Sequence, residues 1–169
     1  MLEPFYPKEY RNSTYEINFE SWRKKGYRGI IFDVDNTLVP HGAPADDRAK
    51  ALFEHLHALG FSSILLSNNK EPRVKSFCEA VTGADYIYKA GKPKRAGYER
   101  AMRRMGTDVH TTLFIGDQIF TDVWGANRAG IYTILVKPIH PKEEIQIVLK
   151  RYLERIVLHF YFKKERKKS

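Results

Sequence analysis

Five short apolar runs, Gly29–Phe32, Ser63–Leu66, Tyr86–Tyr88, Thr112–Ile115 and Tyr132–Val136, alternate with stretches whose apolar residues recur at helical spacing. Leu52, Leu56 and Leu59 share one helical face; Val74, Phe77, Cys78 and Val81 share a second; Tyr98, Ala101, Met102 and Met105 share a third. Pro72 stands where the first turn of its helix should be, and Gly60, Gly83, Gly106 and Gly130 stand where helices should stop. Parallel strands need a crossover between them, and each intervening helix supplies one. The pattern therefore predicts an α/β chain: a Rossmann-like, doubly wound, five-stranded parallel sheet with helices on both faces. No internal repeat or low-complexity linker breaks it. The expectation is a single domain over 1–169, with an aromatic N-terminal segment over 1–27 and an amphipathic helix plus basic tail over 142–169.

The first run does not end as a core strand should. In "IIFDVDNTLVP", Ile30 to Pro40, two aspartates follow three buried-type residues, and desolvating a carboxylate is costly unless something pairs with it. In doubly wound sheets, ligands bind beyond the carboxyl ends of the strands, where strand order reverses. Asp33 ends the first run, Ser67 the second and Asp117 the fourth, while Lys92 lies in the loop after the third. Asp33, Asp35 and Asp117 at one sheet edge would repel one another unless a cation sat among them, and all-oxygen ligands suit magnesium. Lys92 and the hydroxyls of Thr37 and Ser67 offer donors for a phosphoryl group. Phosphoryl transfer depends mostly on positioning and charge neutralisation, and a carboxylate can act as the nucleophile through an aspartyl-phosphate. Asp35 lies where the chain leaves the strand, so it need not point the same way as Asp33. It suits a proton carrier for the leaving alkoxide and the incoming water.

The segments "DVDNT", "LLSNN", "KAGKPK" and "GDQIFTD" resemble, in order and at the matching strand ends, the four motifs of the haloacid dehalogenase (HAD) superfamily. The resemblance runs from about Gly29 to Val136. It implies that Asp33 is the nucleophile and Asp35 the general acid and base. Thr37, Ser67, Asn68 and Lys92 would bind the transferring phosphoryl group. Magnesium would be held by Asp33, Asp117 and the main-chain carbonyl of Asp35, with Asp122 holding metal-bound water or Lys92. The chain departs from the commonest first motif at Asn36, where glycine is usual; asparagine tolerates a left-handed backbone best after glycine. Asp35 and Thr37 favour a phosphatase over a dehalogenase. The intervals Leu38–Phe61 and Asn68–Ala90 leave no room for a cap domain, which implies an open site of the capless subclass IIIA kind. With "DVDNTLVP", "AGKPK", "GDQIFTDVWGANRAGIYTILVKP" and "LEPFYPKEY", the chain is similar to the YqeG-type phosphatases. That group includes the phosphatidylglycerophosphatases of mitochondria and plastids. The implied substrate is a large or membrane-surface phosphomonoester, with phosphatidylglycerophosphate the candidate.

Other features narrow the field. A single cysteine, Cys78, excludes an intramolecular disulfide and a cysteine zinc cluster, and its place on an apolar helix face reads as a small buried residue. The six histidines form no ligand pattern: His55 and His57 are two apart and cannot share a helix face. His41 reads as a loop residue near the first motif. No segment approaches the ~18 apolar residues of a membrane span, and "MLEPFYPKEYRNSTYEI" has no apolar signal core, so the expected location is cytoplasmic, with peripheral membrane contact allowed. The net charge is +9, and "KKERKK", Lys163 to Lys168, concentrates five positive charges against one negative. That favours an acidic partner: phosphorylated substrate, anionic lipid or, as the competing reading, RNA bound by an RNA- or ribosome-associated protein or cleaved of its phosphate by a nucleic-acid phosphatase. From Ile145, apolar residues recur at Val148, Leu149, Tyr152, Leu153, Ile156, Val157 and Phe160, with Lys150, Arg151 and Arg155 off the stripe. The stripe is expected to pack on the sheet or on the N-terminal aromatics Tyr6, Tyr10, Tyr15, Phe19 and Trp22; a membrane-surface helix is the alternative.

Overall fold

The structure, a computed structural model, describes residues 1–140 and 145–168, the side chains of residues 145 and 146 excepted. In chain order the strands are β1 (Glu9–Arg11), β2 (Gly29–Phe32), β3 (Ser62–Leu66), β4 (Ala84–Ile87), β5 (Thr112–Gly116) and β6 (Tyr132–Val136). The α-helices are α1 (Phe19–Lys24), α2 (Asp47–Ala58), α3 (Glu71–Glu79), α4 (Arg95–Met105), α5 (Trp124–Arg128) and α6 (Ile145–Arg166). One turn of π-helix, Ile119–Val123, leads into α5. The expected start of the last helix at residue 142, and Ser169, lie outside the described residues.

All strands are parallel, in the order β1-β6-β5-β2-β3-β4. β2 is central, with Ile31 opposite Ile64 on one side and Phe114 on the other. From β2 the chain winds outward through β3 and β4, then returns to the other side for β5 and β6. The reversal lies between β2 and β5, so the crevice opens at their carboxyl ends.

The sheet has six strands rather than the five read from the sequence. The extra one, β1, pairs with β6 through Glu9 opposite Ile134 and Arg11 opposite Val136. Its sequence, Glu-Tyr-Arg, is short and polar, as an edge strand that meets solvent can be. No apolar run announces it.

Strand alternation divides the core between the two faces of the sheet. Ile30 and Phe32 face α1, α2 and α3 and are buried with Phe19, Trp22, Phe53, Leu56 and Phe77. Ile31, Ile64 and Phe114 face α4 and α5, buried with Tyr98, Ala101, Met102 and Ala126. Because both faces are covered, all four β2 positions are buried and read as a continuous apolar run. Each large side chain so buried contributes about 1.5–3 kcal/mol. Local signals start and stop the helices: Asp46 Oδ1 accepts from Ala49 N at 2.8 Å at the head of α2. Gly106, at φ 65°, turns the chain left-handed after α4. Cys78 is half-buried rather than buried; its Sγ donates to Ala84 O at 3.2 Å, and burial pushes the thiol up to about 11.

Among the described residues the β2–β3 connection holds one loop and α2, and the β3–β4 connection holds α3. No cap is inserted at either place. No described helix is long and apolar enough to cross a membrane.

α6 packs on the body by only one edge of the apolar stripe. Glu154, Val157 and Tyr161 are buried, whereas Leu149, Tyr152, Leu153 and Ile156 are 64%, 62%, 57% and 53% exposed. The seat is built from Ile119, Val123 and Leu135 with Phe5, Tyr6 and Tyr10. Tyr6 meets Tyr161 edge-on at 5.6 Å, and Tyr10 meets Phe162 at 5.3 Å. The polar partners of Arg151 and Glu154 lie on that same side, and they orient the helix against its hydrophobic preference. Of the other N-terminal aromatics, Phe19 and Trp22 enter the core, and Tyr15 donates its hydroxyl to Leu38 O at 2.6 Å.

Candidate active site

The ladder of β2 continues one residue past the strand, with Asp33 N donating to Ile115 O at 2.9 Å. The chain then curls: Thr37 N and Leu38 N both donate to Val34 O, at 3.2 and 3.0 Å, and Asn36 N donates to Val39 O at 2.7 Å. Asn36 sits at φ 61°, the left-handed backbone expected of it. Its Oδ1 accepts from His41 N and His140 N, each at 3.3 Å. The N-terminal segment braces the curl from behind, Thr14 Oγ1 donating to Thr37 O at 2.9 Å. The curl sends Asp33 and Asp35 in different directions.

Asp33 enters a buried cluster of charges. Lys92 Nζ donates to Asp33 Oδ1 and to Asp122 Oδ1, each at 2.7 Å. Asp122 Oδ2 accepts from the N–H groups of Asp117 and Gln118 at 3.2 and 3.1 Å. Thr37 Oγ1 donates to Asp117 Oδ1 at 3.0 Å and lies 3.4 Å from Asp33 Oδ2. Gly116 permits this crowding, since a Cβ there would lie 2.5 Å from Asp122 Oδ2.

Burial pushes Asp33 up to about 6, Lys92 opposing and the Asp122 charge adding to it. Asp117 is raised well above the carboxylate range by burial and by the charges of Asp33 and Asp122. Burial alone would lower the Lys92 ammonium, yet Asp122 and Asp33 together hold it above its usual value. The two ends of the Lys92–Asp33 pair respond differently because Lys92 faces two carboxylates, while Asp33 shares one ammonium with Asp122. The cluster is short of positive charge. One oxygen each from Asp33, Asp117 and Asp122 lies within 4.8 Å of the others, an all-oxygen set that fits a hard divalent cation. Both Asp122 oxygens already accept hydrogen bonds, which suits it to holding Lys92 and the Asp117 backbone.

Asp35 lies outside this cluster. Its Oδ1 accepts from Gly42 N at 2.7 Å and Arg73 Nη2 at 2.9 Å, and its Oδ2 accepts from Asn69 Nδ2 at 2.9 Å. Burial would raise its carboxyl, but the Gly42 N–H and Arg73 outweigh that and hold it below the usual range. Asn68 grips the Lys92 backbone at both ends, Oδ1 accepting from Lys92 N at 2.8 Å and Nδ2 donating to Lys92 O at 3.1 Å. The geometry thus makes Asn68 a holder of the lysine loop. Ser67 is buried, with Oγ accepting from Asn69 N at 3.1 Å.

The open crevice above these groups, about 290 Å³, is lined by Asp33, Asp35, His41, Ser67 and Lys92. A larger hollow, about 670 Å³, lies at the opposite ends of the strands beside His110 and Gly130 and touches none of the four short motifs at the strand ends. Size does not mark the site here; the convergence of charge does.

Sequence reasoning missed four residues. Arg73 and Asn69 hold Asp35. Arg151, from α6, reaches Asp117, and Glu154 on the same helix holds Arg151. Arg151 Nη2 donates to Asp117 Oδ2 at 2.5 Å, and Nη1 donates to Asp117 O at 2.7 Å and to Glu154 Oε2 at 2.9 Å. Glu154 Oε1 accepts from Ile119 N at 2.8 Å. The available signal was an arginine and a glutamate three apart, in register with Val157 and Tyr161 on one helical face.

Residues 41–130 match the family of haloacid dehalogenase-like hydrolases, a stretch that takes in Ser67, Lys92, Asp117 and Asp122 and starts beyond Asp33 and Asp35. The chain is 39% identical over 160 residues to the probable phosphatase YqeG of Bacillus subtilis (strain 168), across 94% of this chain and 92% of that protein. It is 30% identical over 159 residues to the chloroplastic/mitochondrial phosphatidylglycerophosphate phosphatase 1 of Arabidopsis thaliana, across 88% of this chain and 45% of that one. The fold matches that of a putative HAD superfamily (subfamily III A) hydrolase from Legionella pneumophila, with a TM-score of 0.54 and 18% identity over 72% of each chain. The chain belongs to the haloacid dehalogenase-like hydrolases and is a phosphatase, a phosphoric monoester hydrolase, of that family.

Proposed function

We propose that the whole chain acts as one catalytic domain, a magnesium-dependent phosphatase that works through an aspartyl-phosphate on Asp33. Its proposed substrate is a phosphate on a lipid headgroup, such as phosphatidylglycerophosphate. The observation that carries the chemistry is the asymmetry of the Asp33 carboxylate: Oδ1 is held by Lys92 at 2.7 Å, while Oδ2 has only the 3.4 Å contact with Thr37. One oxygen is oriented and the other stays available to attack phosphorus. As the Asp33 oxygen bonds to phosphorus, the ester P–O bond breaks and the leaving alkoxide takes a proton. Lys92, Ser67 and Thr37 supply donors to the transferring oxygens. Asp35 rests as a carboxylate on Gly42 and Arg73, the form needed to take a proton from water in the second step. Donating one in the first step requires that it gain a proton as these contacts loosen. Asp33, Asp117 and the Asp35 carbonyl would hold magnesium, which would supply neutralising charge to the phosphoryl oxygens.

The lipid assignment rests on α6 and on the names of the relatives. The helix lines the crevice with Ile147 and Lys150, and it turns Leu149, Tyr152, Leu153 and Ile156 outward. Its last turn and tail carry Lys163, Lys164, Arg166, Lys167 and Lys168. Apolar insertion plus attraction to anionic lipid, about 1 kcal/mol per basic residue near the surface, would bring an uncapped crevice to a headgroup without extracting the lipid. The test is phosphate release from phosphatidylglycerophosphate in anionic vesicles, beside 5′- and 3′-phosphorylated RNA, with and without magnesium. Lipid turnover that needs magnesium and disappears in Asp33→Asn is expected. Efficient RNA dephosphorylation without lipid turnover would move the substrate to nucleic acid, and tight RNA binding without turnover of either would favour a binding protein.

A further inference from the structure

A carboxylate that serves a cation must present one oxygen and keep it there. Asp117 is fully buried, with a side-chain exposure of 0%, yet its terminal torsion is soft. Its two oxygens have separate partners: Oδ1 accepts from the Thr37 hydroxyl at 3.0 Å, and Oδ2 accepts from Arg151 at 2.5 Å. The guanidinium does more than pair with the charge. Its Nη1 takes the main-chain carbonyl of the same aspartate at 2.7 Å, so one planar fork spans the backbone and side chain of Asp117. Glu154 holds the fork in turn through Oε2 and anchors itself on Ile119 N through Oε1, at 2.9 and 2.8 Å. This chain of contacts crosses from a peripheral helix into the centre of the site. These contacts help orient α6 on the apolar seat that Val157 and Tyr161 bury, but their far end is the Asp117 carboxylate itself.

We propose that Arg151 is a positioning residue for the cation site. It fixes the rotamer of Asp117 so that the carboxylate meets a divalent ion in one orientation, with Glu154 as its support. The last helix thereby becomes a working part of a site whose other members come from strand ends and from the loops and helical turns that directly follow them. The proposal rests on the metal reading above and adds a residue that none of the four motifs contains. Partners of this outer kind typically change metal affinity or activity by about 10–100-fold when removed. A lysine keeps the charge but cannot reproduce the two-pronged geometry.

The sign of the effect separates this role from a plain electrostatic one. A guanidinium acting only as a nearby positive charge would compete with the ion, and Arg151→Gln would then bind metal more tightly. The fork requires weaker binding. The measurement is calorimetric titration of the substrate-free protein with magnesium and with manganese, together with hydrogen exchange of α6. Arg151→Gln is expected to lose about 10–100-fold in affinity, and Arg151→Lys to recover only part of it. Val157→Ala, which loosens the seat without touching the fork, should exchange faster in α6 yet keep the affinity. Unchanged or tighter binding by Arg151→Gln would overturn the proposal, as would an equal loss in Val157→Ala. If the unaltered protein bound neither ion, the magnesium reading itself would fall, and this inference with it.

Discussion

Replacing Asp33 with asparagine should destroy activity and, in the absence of metal, make the protein more stable. The Asp33 carboxyl is pushed from an ordinary 3.8 up to about 6. That value already contains the benefit of Lys92, so it measures the net cost of ionising the group inside the fold. A folded-state value above the unfolded one means the stability contribution is fully present below about pH 4. It is lost as the pH rises through about 6. At 1.36 kcal/mol per unit, the shift of about two units costs the folded protein ~3 kcal/mol at pH 8. Asparagine approximates the neutral acid and keeps an acceptor for Lys92, so it should remove most of that cost. For a chain of this size, ~3 kcal/mol corresponds to roughly 6–12 °C in melting temperature. The assay is thermal unfolding of both proteins with a chelator, from pH 4 to pH 8. The gain should be near zero at the acid end and grow through pH 6. Saturating magnesium should narrow or reverse the order, because only the carboxylate protein gains binding energy from it. A variant that is less stable at pH 8 with chelator, or a gain independent of pH, would refute the reasoning.

Three further outcomes follow from the geometry. Asp35→Asn should retain metal binding and lose most turnover on alkyl phosphates, with a smaller loss on nitrophenyl phosphate, whose leaving group needs little protonation; equal losses in steady-state rates would exclude the proton-carrier role. Leu153→Glu with Ile156→Glu, both on the exposed face of α6, should weaken sedimentation with anionic vesicles, as should added salt or deletion of Lys163 to Ser169. Turnover of a soluble aryl phosphate should be unchanged in either case, and undiminished vesicle binding would count against the lipid-facing role. Gly116→Ala would set a methyl 2.5 Å from Asp122 Oδ2, and overpacking of this kind costs about 1–3 kcal/mol. Urea unfolding should register that loss, with metal affinity falling as Asp122 is displaced.

What could be read from the sequence was what repeats locally. β2 showed itself because both its faces are buried, and α4 because its apolar positions and Gly106 agree. The site residues at strand ends were legible for the same reason, since a run of buried-type residues that stops at a charge marks a carboxyl edge. β1 was not legible, because a three-residue polar edge strand depends on β6 for its hydrogen bonds and leaves no periodic trace. α6 does pack on N-terminal rings as the sequence suggested, but not by the expected face, because hydrophobicity favours the centre of the stripe while two ion-pairing residues and those rings select its edge. Arg73 was hidden for a similar reason. Its worth lies in Asp35, a residue 38 positions away in sequence, and nothing near it in the chain announces that partner.

The β1–β6 pairing also orders events in time. Lys8 donates to Thr133, 125 positions later in the chain, and closing so long a loop costs about 4 kcal/mol of chain entropy before any contact repays it. The segment's natural place cannot exist until β5 and β6 have assembled, so β1 is expected to dock after the rest of the sheet. The bracing of the Asp33–Thr37 curl by Thr14 and Tyr15 belongs to the same segment and arrives with it. The earliest residues of the chain are thus expected to settle late, together with the last helix that packs on them, and a chain caught before that step would hold a nearly finished sheet with its nucleophile loop unsupported.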